Sequence, residues 1–131
     1  MAELAGTGVE LTSVPRLRRL HERFGDRLLD RVFTPDEVAY ARRKRNGIQN
    51  LAARFAAKAA GRRALRALVD EPIPWLDLEV VRRRTGEPTL ALRGGTAARL
   101  AGTPLHIAVS LTHESDFGLA SVWVERGASQ P

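Results

Sequence analysis

Residues 50–68 read NLAARFAAKAAGRRALRAL, and the rest of the chain is organised around them. Ala and Leu dominate the stretch, and Arg and Lys fit a helix almost as well. Leu51, Phe55, Ala59, Leu65 and Leu68 recur at three- and four-residue steps or their multiples. That spacing predicts one buried face on a helix of about five turns. Arg54, Lys58 and Arg62 fall at i, i+4 and i+8 and predict a second, cationic stripe. The plainest reading is a core helix with a solvated basic side. Gly61 costs roughly 1 kcal/mol relative to Ala in a helix interior and points to close approach of another backbone.

The chain has 131 residues, a length that suits a single domain spanning residues 1–131 with a real core. At 44% apolar and 27% charged residues it reads as globular. It has no cysteine, which excludes disulfides and thiolate metal sites. The first residues, MAELAGTGVEL, lack a basic segment and a long apolar run, so no secretory leader is expected. No stretch is long and apolar enough to predict a membrane span, and a cytoplasmic location is the expectation. The net charge is +6, unevenly spread. Ten basic and two acidic residues lie between Arg31 and Arg66, against eleven basic and thirteen acidic elsewhere. Such a patch attracts phosphate, nucleic acid or an acidic protein. Nucleic acid is disfavoured, because aromatic residues make up only 5% and none interleaves with the run Arg42, Arg43, Lys44, Arg45.

Outward from the central stretch, residues 7–11 predict a short strand with Val9 and Leu11 on one face and Glu10 on the other. Ser13 is an N-cap candidate ahead of Pro15. Val14, Leu17, Leu20, Phe24 and Leu28 predict an amphipathic helix to about residue 30, with Arg16, Arg19, Arg23 and Arg27 on another face. Gly25 could end it early. Thr34-Pro35-Asp36-Glu37 is a capping box that opens a second helix, reaching the basic run near Arg45. Residues 70–74 hold two prolines and predict a loop. Strands are expected at 75–83, 89–93, 106–113 and 117–124, with a short helix at 96–100. The last strand is nearly continuously apolar, which predicts a central place, and the tail GASQP is expected to fray. The order predicts an α+β fold with an antiparallel sheet packed against a long helix and shorter ones.

The candidate chemistry from pattern alone is thin. Glu10 is an acid at a strand end, His113 closes a strand beside Glu114, and Arg54 and Lys58 are cations on the long helix. No nucleophile elbow, P-loop, dinucleotide fingerprint or zinc-ligand pair is present. These residues describe a basic α+β domain suited to binding an anion.

Six segments, in order, resemble the holo-acyl-carrier-protein synthase family, the small phosphopantetheinyl transferases. GTGVELTSVPRL resembles its opening G-x-G-x-D-[IV]-x-x-[IV]-x-R, RVFTPDE its F-T-x-x-E, and LAARFAAKAA its A-x-R-[FW]-A-A-K-E-A. WLDLEV, GEPTLAL and VSLTHE resemble its W-x-D-I-E-[IV], G-x-P-x-[LV] and [IV]-S-[LIV]-[ST]-H-[DE]. The resemblance implies a phosphopantetheinyl-transferase-like fold and transfer of the 4′-phosphopantetheine arm from coenzyme A to a serine of an apo-acyl carrier protein. It implies Mg²⁺, with Glu10 at the position of the first ligand. It implies coenzyme A phosphate contacts at Arg54 and His113, and Lys58 as the signature lysine. Arg63 stands where the family has a lysine. Glu10, Lys58 and His113 are the implied catalytic residues, and Arg54, Lys58, Arg63 and His113 the coenzyme A-binding ones. Arg16, Arg19 and Arg23 lie on the helix that relatives offer to the carrier protein, and a homotrimer with sites between subunits is implied.

The chain departs from the pattern at the metal ligands. Ala59 replaces the metal-binding glutamate, Glu10 replaces the aspartate, and Ser13 stands where a glutamate is often found. An alanine cannot ligate a metal. The sequence thus leaves two readings open. One is a transferase with a weakened metal site. The other is a repurposed or inactive homologue that binds a carrier protein or its tethered acyl intermediate.

Overall fold

Strand β1 (Glu3–Ser13) leads through α1 (Val14–Phe24), α2 (Asp26–Val32) and α3 (Pro35–Arg42) into the long helix α4 (Gly47–Ala64). A 3₁₀ turn (Trp75–Asp77), the hairpin β2 (Leu78–Arg82) and β3 (Pro88–Leu92), helix α5 (Gly94–Leu100) and the hairpin β4 (Leu105–His113) and β5 (Phe117–Arg126) complete it. This computed structural model describes residues 2–127. The tail expected to fray lies, from residue 128 on, outside the described residues.

The fold is α+β, and its antiparallel sheet comes in two pieces. A three-stranded sheet has the order β1-β5-β4, and β2 pairs with β3 in a separate ribbon. β5 is central, as its apolar sequence predicts. Its inward residues Ala120, Val122 and Val124 are buried, while Leu119 and Trp123 alternate to the outer face. The register sets Gly8 against Val122 and Glu10 against Ala120, so both belong to the inward face of β1.

Helix α4 lies across that inward face. Its own contacts come from small residues: Ala52, Ala53, Ala56, Ala57, Ala60 and Ala64 are all buried. The expected apolar face of Leu51, Phe55 and Ala59 is only part of this. Phe55 and Ala59 are half-buried, and the helix is enclosed on almost every side. It also begins three residues earlier than periodicity predicts, after Asn46, and ends at Ala64. The alanines let two backbones approach. A Cβ on Gly8 would overlap the carbonyl oxygen of Ala60, and one on Gly118 would sit 2.5 Å from the backbone nitrogen of Ala53. Gly61 is a different case, because the Leu90 side chain fills its space and no backbone does.

The first predicted helix is two helices. Gly25, at φ +65°, separates α1 from α2 in a conformation that L side chains rarely adopt. The predicted capping box is formed: the Thr34 hydroxyl accepts from the Glu37 backbone N–H, and Glu37 Oε1 accepts from the Thr34 backbone N–H at 2.9 Å. Glu37 does more than cap. Its carboxylate accepts from Lys58 Nζ at 2.8 Å and from the Val80 backbone N–H at 2.9 Å. Lys58 also donates to the Val32 carbonyl at 2.5 Å. Both side chains of this pair are 0% exposed. The Thr34 hydroxyl donates to Glu79 at 2.5 Å, and Arg93 closes the network on the other oxygen of Glu79 at 2.7 Å. Burial raises the Glu79 carboxyl, but the Thr34 and Arg93 hydrogen bonds outweigh it and hold it below the usual carboxylate range. Burial pulls the Lys58 ammonium down, against the attraction of Glu37. One polar network thus joins α3, α4, β2 and the chain after β3.

Two stability tests follow from this packing. Gly8→Ala should force α4 off the sheet and cost at least the roughly 1–3 kcal/mol typical of overpacking, read from urea denaturation. Gly102→Ala meets no atom within 4 Å and should stay within about 0.5 kcal/mol of the parent. Lys58→Met would strand the Glu37 charge in the interior. It should cost about 3–5 kcal/mol, and an unchanged urea midpoint would show that the pair carries no stability.

Candidate functional site

The inward face of β1 delivers Glu10 to helix α4. Two residues after Gly8, where the backbones touch, a long side chain must bend along the helix. Glu10 does so and meets Arg63, one turn beyond Ala59. Arg63 Nε donates to Glu10 Oε1 at 2.9 Å, and Nη2 donates to the same oxygen. Glu10 Oε2 accepts no hydrogen bond from the described residues. Glu10 and Ala59 line two clefts. One, of about 520 Å³, continues along Arg62, Arg63 and Arg66 to the loop ending at Trp75. The other, of about 410 Å³, runs under α1 past Arg16, Leu17, Phe55 and Phe117. Arg62 lies over the Trp75 ring at 4.0 Å, and Trp75 packs tilted against Phe55 with ring centroids 4.9 Å apart. The junction of the two clefts is the point where a ligand in one could meet a partner on the other.

This junction is a poor divalent-cation site. Hard cations want several oxygen ligands. Glu10 supplies the carboxylate, Ala59 supplies nothing, and the Arg63 guanidinium already occupies one of the two Glu10 oxygens. Asp70 and Glu71 line the larger cleft, but Glu71 pairs with Arg99 at 2.5 Å. Among the described residues no three His, Cys, Asp or Glu side chains are grouped to hold a metal. The expectation of Glu10 as a metal ligand therefore meets a residue engaged as the partner of an arginine.

A second basic centre surrounds Tyr40. The guanidinium of Arg54 stacks on its ring at 4.1 Å, Lys44 sits at 4.9 Å and Arg82 at 5.6 Å. Burial raises the Tyr40 hydroxyl, yet Arg82, Lys44 and Arg54 outweigh it and hold it below the ordinary phenol range. Arg54 is 3% exposed, and its Nε and Nη1 have no partner. Burial pulls its pKa down. His113 Nδ1 is likewise buried and unpartnered. His113 pairs with Gly118, which packs on Ala52 and Ala53, so the strand end lies at the same part of α4 as Arg54. Buried polar atoms without hydrogen-bond partners are rare, and both groups expected from the sequence to meet phosphate hold such atoms.

The other expected residues divide. Lys58 is not on a solvated stripe with Arg54 and Arg62. Its side chain is sealed against Glu37 and the Val32 carbonyl, with no exposed surface. The three cations of the expected stripe have three fates: a stack on Tyr40, a buried pair, and a stack on Trp75. Arg16, Arg19 and Arg23 are exposed along α1, and none has a carboxylate within 4.0 Å among the described residues. Sequence reasoning missed Glu37 as the partner of Lys58, Tyr40 as a platform, and Arg82. The T-x-x-E capping box was the available sign for Glu37. Tyr40 and Arg82 had none, because their meeting is made by the fold.

Comparison with known proteins fits this geometry. Residues 6–118 match the family model of the 4′-phosphopantetheinyl transferase superfamily. The holo-[acyl-carrier-protein] synthase of Solibacter usitatus is 45% identical over 93% of this chain and 98% of its own. That of Xanthobacter autotrophicus is 43% identical over 91% and 92%. Among solved structures, acyl carrier protein synthase of Mycobacterium tuberculosis superposes with a TM-score of 0.75 at 32% identity, covering 95% of this chain and all of that one. The ACPS–CoA complex of Chronobacterium ammoniagenes gives 0.79 at 27% identity, covering 94% and 98%. With a family model spanning most of its length and relatives above 40% identity over nearly all of it, the chain belongs to the 4′-phosphopantetheinyl transferase superfamily.

Proposed function

We propose that the chain transfers the 4′-phosphopantetheine arm of coenzyme A to a serine of an apo-acyl carrier protein. The observation that carries this reading is the junction at Glu10 and Ala59. One cleft there leads to cations suited to a nucleotide diphosphate, and the other leads under an arginine-bearing helix suited to an acidic carrier. In the reaction the serine oxygen attacks the phosphorus bearing the pantetheine arm. A new O–P bond forms, and the bond from that phosphorus to the bridging oxygen breaks. The electron pair leaves on adenosine 3′,5′-bisphosphate. The hydroxyl proton passes to a base, and Glu10 Oε2 is the carboxylate oxygen available at the junction. Positioning and charge neutralisation are most of what such a transfer asks of a protein.

Arg54 and His113 take a phosphate of coenzyme A in this reading, which gives their buried nitrogens acceptors. Arg16, Arg19 and Arg23 face the carrier protein. A homotrimer is supported by the outer face of the three-stranded sheet. Val9, Leu11, Leu119 and Trp123 are 63%, 58%, 41% and 55% exposed there, a group of exposed large apolar side chains of the kind that marks an interaction surface. No helix among the described residues is long and apolar enough to cross a membrane.

Mass spectrometry of an apo carrier protein incubated with coenzyme A and this chain should show addition of the arm. An unmodified carrier after prolonged incubation overturns the assignment. Arg54→Ala should weaken coenzyme A binding by roughly 1.5–3 kcal/mol in calorimetry, the worth of a charge-assisted contact. Trp123→Glu should shift sedimentation at micromolar concentration from trimer to monomer.

A further inference from the structure

We infer that Arg63, clamped by Glu10, neutralises the reacting diphosphate in place of a divalent cation. This deepens the transferase reading and rests on it. The observations are the donor set and its geometry. Glu10 is the carboxylate at the cleft junction, and Oε1 receives both Nε–H and an Nη2–H of Arg63. A guanidinium has five N–H donors in a rigid plane. With two spent on Glu10, three remain, on Nη1 and Nη2. They point away from the clamp, and the cleft of about 520 Å³ lies beside them. Arg63 is 56% exposed, so these donors can reach a ligand. Ala59, one turn earlier on the same helix, carries no carboxylate to compete for the guanidinium or to complete a metal shell.

The rest of the cleft agrees. Arg62 is held over Trp75 and Arg66 follows one turn later, so cations recur along one wall. Asp70 and Glu71 also line the cleft, and Glu71 is already paired with Arg99. The Glu10–Arg63 pair does for the guanidinium what packing does for a core side chain: it selects one orientation. A planar fork can accept a clamp on one edge and bind phosphate oxygens on another, which an ammonium cannot do. During transfer the bridging oxygen gains charge as its bond to phosphorus breaks. A fixed arginine there stabilises that charge without prior reorganisation.

The test separates this inference from the transferase assignment by measuring binding as well as turnover. Coenzyme A is titrated calorimetrically into the full chain in EDTA and again in MgCl₂, and into Arg63→Met under the same conditions. The parent should bind with affinities within about twofold in the two buffers, and Arg63→Met should bind at least roughly tenfold more weakly in both. Transfer to apo carrier protein should likewise persist in EDTA, and Arg63→Met should lower its rate by about 100-fold or more. Tenfold or greater tightening of the parent by Mg²⁺, or unchanged affinity in Arg63→Met, overturns the inference. So does transfer that stops in EDTA and returns with Mg²⁺. If coenzyme A binds through Arg63 independently of Mg²⁺ but no carrier is modified, the transferase reading fails while the arginine site stands.

Discussion

The contact on which the structure depends is the close approach of helix α4 to strands β1 and β5 at their glycines, where no side chain intervenes. Ala60 and Ala64 face Gly8 and Gly6, and Ala52 and Ala53 face Gly118. Dispersion falls off steeply with distance, so a helix this close gains contact over its whole length, but any added Cβ meets backbone. The same contact builds the site. Because Gly8 is pinned beneath Ala60, the next inward residue of β1, Glu10, emerges beside Ala59 and Arg63. The core packing and the position of the site's carboxylate are one geometric fact.

A second constraint ties the periphery to this helix. The Lys58–Glu37 pair is buried, and a buried pair is an uncertain source of stability because both ions lose water. What it supplies here is definition. Glu37 has room for its lysine, a capping N–H and the Val80 N–H, and those partners come from α4, α3 and β2. A different docking of α3 would leave a charge unpaired in the interior. The expectation of a solvated lysine failed for that reason: an (i, i+4) stripe states which residues share a face, but what covers the face depends on a carboxylate 21 residues away.

Charge at the junction follows from which residues meet there. An acid at position 59 would compete for Arg63 or recruit a cation. Ala59 does neither, and Arg63 turns to Glu10. Arg62 and Arg66 line the same cleft, so further positive charge lies beside that pair.

The amino-acid sequence determined the α+β class, the family and most of the element order on local grounds. The capping box at Thr34–Glu37, the break at Gly25, the apolar run of β5 and the ordered motifs are all written in neighbouring residues, where propensity and spacing act. It also showed that position 59 carries no carboxylate, since Ala59 is visible as a letter. Only the tertiary structure decided what the charged residues of α4 do. Arg54, Lys58 and Arg63 have similar propensity and nearly the same local context, so nothing within the helix separates them. Their different ends come from what long-range packing sets against each: the Tyr40 ring, the Glu37 carboxylate, and Glu10. The energy of a charge depends on its solvent exposure and its partners, and both are properties of the assembled fold.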